Sequence, residues 1–135
     1  MGGSIKLPLW LRWSGLGTGV LTLAWLPIED TNTLYLTILS IMWSAWTAGW
    51  LASRPEGRDW LAGQWRWALL GAGVGLGTAP VALGLVLLKA GMHAHGFLDF
   101  SSYQMTGMLL CTPIWMVVGG LMGLAISSMG ISETD

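Results

Sequence analysis

Long apolar stretches alternate with short polar segments along the whole chain, and there are four of them. They cover approximately residues 9–27, 33–52, 67–88 and 105–127, and their central parts hold no Asp, Glu, Lys, Arg or His. About twenty apolar residues in a helix match the ~30 Å hydrocarbon layer of a bilayer. Lipid supplies no hydrogen-bond partners, so such a segment has to be helical to satisfy its own backbone. The pattern predicts an all-α integral membrane protein. Residues 1–135 form a single membrane domain of four transmembrane helices, as two hairpins joined by a short cytoplasmic loop.

Local signals sharpen these elements. Pro8 suits a first helical turn, and Pro27 closes the first stretch. Asp30 or Thr31 is the expected cap of the second helix. Pro55 stops that helix, and residues 53–57 read as a turn. Residues 59–67 suggest a short interfacial helical turn. Pro80 predicts a kink in the third helix and Pro113 a bend in the fourth. Ser101 and Gln104 have the spacing of a capping box. Cys111, the one cysteine, is expected to pack as a small apolar residue in the fourth span.

Charge then sets the orientation. Only 10% of the residues are charged, against about 25% in soluble domains. Lys6, Arg12, Arg54, Arg58 and Arg66 fall on one side of the predicted spans and only Lys89 on the other. Basic loops stay cytoplasmic, so both termini are expected inside. A net charge of −1 offers no field for nucleic acid. No small-x-small site follows Trp25, so the first span is expected to be retained rather than cleaved.

Small residues recur four apart: Gly15 and Gly19, Ala45 and Gly49, Gly71 and Gly75, Gly73 and Gly77, Gly119 and Gly123. Such pairs let membrane helices approach closely. The third helix has two bare faces, one for packing within the chain and one for a partner or cofactor. Ten tryptophans add a second signal. Trp10, Trp13, Trp25, Trp50, Trp60, Trp65 and Trp67 are expected as interfacial anchors. Trp43 and Trp46 fall near the bilayer midplane on one helical stripe. That stripe suits a partner helix or a groove for a chlorophyll, a quinone or a lipid; packing against neighbouring glycine faces explains it equally well.

The chemically richest segment runs from Lys89 to Phe100 and holds both histidines. His93 and His95 could share a ligand, and Asp99 could complete a set for zinc or another divalent metal. The set lacks a fourth ligand of definite spacing. A structural loop, with Asp99 paired to Lys89, accounts for the same residues. No ionisable group lies deep in a span, which disfavours a pump. Ser and Thr hydroxyls provide the polarity there, and they commonly bond back to their own helix. No Ser-His-Asp order, HExxH or CxxC motif appears, so an enzyme is not expected.

Together with Thr112-Pro113-Ile114-Trp115, the Lys89–Phe100 segment resembles small polytopic membrane proteins of cyanobacterial type. The resemblance covers about forty residues and implies a location, a thylakoid or bacterial inner membrane, without implying an activity. The expected function is that of an accessory, assembly or stabilising subunit of a larger photosynthetic or respiratory membrane complex. Its partners would be membrane lipids and other integral membrane subunits. The alternatives are a small oligomeric channel or passive transporter, with the chain as a homo-oligomer, and a pigment-, lipid- or metal-binding membrane protein.

Overall fold

The computed structural model describes residues 8–28, 31–54, 63–93 and 100–130. These form α1 (Leu9–Trp25), α2 (Thr33–Ala52), α3 (Gln64–His93), α4 (Ser102–Leu110) and α5 (Thr112–Gly130), with no strand among the described residues. Helix α1 packs on α2, α2 on α3, and α3 most extensively on α5. All the regular structure among the described residues is helical, as the hydrophobic pattern requires.

The number of spans needs correction. Among the described residues three helices, α2, α3 and α5, are long and apolar enough to cross a membrane, not four. The first falls short: α1 has 17 residues and stops ahead of Pro27, whose ring cannot continue the backbone ladder. At ~1.5 Å per residue it reaches about 26 Å. It nonetheless lies antiparallel along α2, with contacts from Trp10 at one end to Thr22 near the other.

The fourth stretch is also not one helix. It divides at Cys111, where α4 ends and α5 begins one residue later. Pro113 is the cause: it has no N–H to give the Leu109 carbonyl, and its ring crowds that group. Cys111 is consequently exposed at the junction rather than packed inside a span. By contrast α3 continues unbroken through Pro80, reaching 30 residues. It therefore extends beyond the predicted end at Leu88 and takes in Lys89 and the backbone of His93.

Two caps explain local boundaries. Asn32, rather than Asp30 or Thr31, caps α2, its Oδ1 accepting from the Leu34 N–H at 2.9 Å. The capping box is present at α4: Ser101 Oγ accepts from the Gln104 N–H, and Gln104 Oε1 accepts from the Ser101 N–H at 2.9 Å. Gln104 Nε2 also donates to the Thr31 carbonyl at 3.3 Å, tying the start of α4 to the segment before α2. The core lies at this end of the bundle, where Trp25, Leu26, Leu36, Leu39, Ala82, Leu85, Val86 and Phe100 cluster.

Candidate functional site

Two helix seams absorb most of the glycine and tryptophan packing residues singled out by the sequence. Across the α1–α2 seam each helix offers a glycine to a tryptophan of the other. The Trp10 ring lies over Gly49, and the Trp46 indole lies over Gly15. Trp46 Nε1 donates to the Leu11 carbonyl at 2.9 Å, and Trp43 Nε1 donates to Thr22 Oγ1 at 2.9 Å. The two indoles meet edge to face at 5.9 Å, the arrangement that aromatic quadrupoles favour. Both indole donors are thus satisfied inside the protein. The Trp43/Trp46 stripe faces α1.

The α3–α5 seam is made of backbone. A Cβ on Gly71 would collide with the Gly119 carbonyl, one on Gly75 with that of Trp115, and one on Gly123 with that of Trp67. Bare glycines let these helices touch main chain to main chain, where dispersion and Cα–H···O contacts act at short range. Gly77 belongs to the α2–α3 seam and faces the Ser44 side chain. Gly73 and Gly19 are different: a Cβ on either meets nothing within 4 Å.

At the core end, Lys89 is fully buried. Its Nζ lies 4.5 Å from the Trp25 ring centroid and 5.8 Å from that of Phe100. Two aromatic faces favour a cation where water is excluded, and a position near a helix C-terminus adds to that preference. Trp25 is therefore a core residue, 6% exposed, rather than an interfacial anchor. Nothing in the sequence signalled this pairing, because Trp25 and Lys89 come together only through the fold. His95 and Asp99 lie outside the described residues, as does the side chain of His93, so the proposed metal set falls there. Among the described residues no group of three or more His, Cys, Asp or Glu could hold a metal ion.

At the opposite end two arginines stack on tryptophans, Arg54 at 3.7 Å over Trp50 and Arg66 at 5.4 Å over Trp65. Most of the hydroxyls in between are turned onto their own helices, although the buried Ser44 Oγ has no hydrogen-bond partner among the described residues. Thr18, Thr22, Thr37, Ser40, Thr47 and Thr78 each donate to the carbonyl four residues earlier. Comparison with protein-family models, curated proteins and solved structures gave no match.

Proposed function

We propose that this chain is a multi-pass membrane protein serving as an accessory, assembly or stabilising subunit of a larger membrane complex, which it joins through helix packing. The end that carries Arg12, Arg54 and Arg66 faces the cytoplasm, following the bias of basic residues. A photosynthetic or respiratory complex, in a thylakoid or bacterial inner membrane, is the natural host.

The observation that supports this reading is the uncovered face of α5. One side of that helix is consumed by the glycine seam. The other presents Ile114, Val117 and Leu121, which are 62%, 63% and 62% exposed and spaced three and four apart. An apolar stripe at this spacing suits a neighbouring helix. Gly71, Gly75, Gly119, Gly123, Trp43 and Trp46 are engaged within the chain, so partner contact passes to α5, and to the open Gly19 and Gly73. A hydroxyl-lined pore draws less support, since most of those hydroxyls, Ser44 apart, are bonded to their own helices.

Mild detergent extraction followed by native electrophoresis tests the proposal. The chain should migrate with a complex much larger than itself, and Leu121→Trp should release it. Migration as a monomer, or as an oligomer of this chain alone, would overturn it.

A further inference from the structure

Near the core end, α1 and α2 leave an apolar groove of about 440 Å³ between them. Leu21, Trp25 and Ile28 line it from α1 and the turn after it, and Tyr35, Leu39 and Met42 from α2. Trp25 and Leu39 form the floor, each 6% exposed. Leu21, Ile28 and Tyr35 stand at the rim, 51%, 55% and 54% exposed. Apolar walls with a few polar groups are the usual make-up of a small-molecule site. None of the lining residues is charged.

The floor holds an unmet donor. Trp25 Nε1 is buried and has no acceptor among the described residues, whereas Trp43 and Trp46 each find one. A buried N–H without a partner is unfavourable, and lipid brings no water to meet it. The Trp25 ring already carries the Lys89 Nζ, 4.5 Å from its centroid. The indole N–H lies in the ring plane, so an acceptor there leaves that contact intact.

Depth identifies the acceptor. Helix α2 has 20 residues, which at ~1.5 Å each match the ~30 Å hydrocarbon layer. Tyr35 is in its first turn and therefore lies at the edge of that layer, with Met42 about 10 Å further in. An occupant needs its acceptor at the Trp25 and Tyr35 end and its apolar body towards Met42. A glycerolipid has this order, with ester carbonyls at the edge of the hydrocarbon and acyl chains inside it. A partner helix, at least ~10 Å across, would rest on the rim, while a single acyl chain is slim enough for the floor.

We propose that the α1–α2 groove holds one acyl chain of a glycerolipid from the non-cytoplasmic leaflet, its ester carbonyl accepting from Trp25 Nε1. Uncharged walls leave the headgroup unread. The inference rests on the membrane reading given above.

Native mass spectrometry of the full chain in a non-ionic detergent, titrated with diacyl phosphatidylcholine or with its diether analogue of equal chain length, tests it. The ether lacks only the carbonyls, so the diacyl lipid should bind about fivefold tighter, as one net hydrogen bond implies. Diacyl phosphatidylglycerol should match diacyl phosphatidylcholine. Trp25→Phe keeps a ring for Lys89, and should erase the difference between ester and ether. Ala24→Phe, at an exposed lining position, should weaken both lipids without lowering the melting temperature. Equal binding of ester and ether by the unaltered chain would overturn the site, whether or not Trp25→Phe folds. So would a difference that survives Trp25→Phe, or full lipid binding by Ala24→Phe. If Ala24→Phe instead breaks a homo-oligomer and leaves lipid binding intact, the groove belongs to a second copy and the proposal fails. A chain that stays dissolved without detergent would sink the membrane reading itself. A detergent-requiring chain that treats ester and ether alike would sink only the lipid site.

Discussion

Trp46 donates its indole N–H to the carbonyl oxygen of Leu11 at 2.9 Å, across the seam between α1 and α2. Gly15, one turn beyond Leu11, allows it: a Cβ there would overlap the Trp46 indole. A carbonyl inside a helical ladder, which also accepts from Ser14 Oγ at 3.2 Å, thus takes the Trp46 donor as well, and a tryptophan that would otherwise bury an unmet N–H is satisfied.

Substitutions at this pair should separate the bond from the space. Trp46→Phe keeps an aromatic ring and loses the donor, and should cost about 0.6 kcal/mol, with ~1.7 kcal/mol as the upper end for such bonds in membranes. Gly15→Leu should cost more, since it removes both bond and fit. Unfolding in mixed micelles, followed by far-UV circular dichroism, provides the comparison. A smaller loss for Gly15→Leu than for Trp46→Phe would contradict this account of the seam.

The α3–α5 seam predicts opposite outcomes for neighbouring glycines. Gly71→Ala and Gly75→Ala should each destabilise by about 1–3 kcal/mol, because main chain must move to admit the methyl group. Gly73→Ala should be neutral or should stabilise by up to ~1 kcal/mol through helix propensity. The same micelle unfolding assay decides it. Equal effects at positions 71 and 73 would mean the seam is not as described.

Lys89 and Trp25 should be energetically coupled. A double-mutant cycle of Lys89→Met and Trp25→Leu should return about 1–2 kcal/mol of interaction, the range for a desolvated cation over an indole. Strict additivity would show that the 4.5 Å approach contributes nothing.

Pro113 is held responsible for the junction at Cys111. Pro113→Ala restores an N–H able to reach the Leu109 carbonyl. Hydrogen exchange of the amides from Leu110 to Ile114 should slow by about tenfold or more, as expected when about 1.4 kcal/mol of local opening free energy is added. Unchanged exchange would place the cause of the break elsewhere.

Much of the helical framework was legible because it depends on local chemistry. The bounds of α2, 33–52, follow from the apolar run and from Pro55, and the Ser101/Gln104 capping box from a three-residue spacing. Signals failed where two local rules competed. Pro80 and Pro113 carry the same backbone penalty, yet α3 runs through the first and the chain breaks beside the second. The glycine spacing pointed to close packing, but a repeat does not say which helix will answer it. Trp43 and Trp46 look like an open stripe until α1 is laid on them. The burial of Lys89 between Trp25 and Phe100 was illegible, because residues so far apart in the chain leave no shared pattern.

All of these readings presuppose a bilayer around α2, α3 and α5, and labelling from either side of the membrane tests that most directly. In a Cys111→Ser background, Ser53→Cys and Tyr103→Cys each place a single thiol at opposite ends of the bundle. With a membrane-impermeant maleimide, Tyr103→Cys should react in intact cells and Ser53→Cys only in inverted vesicles. Reaction of both from the same face, or recovery of the chain in the soluble fraction, would contradict the account.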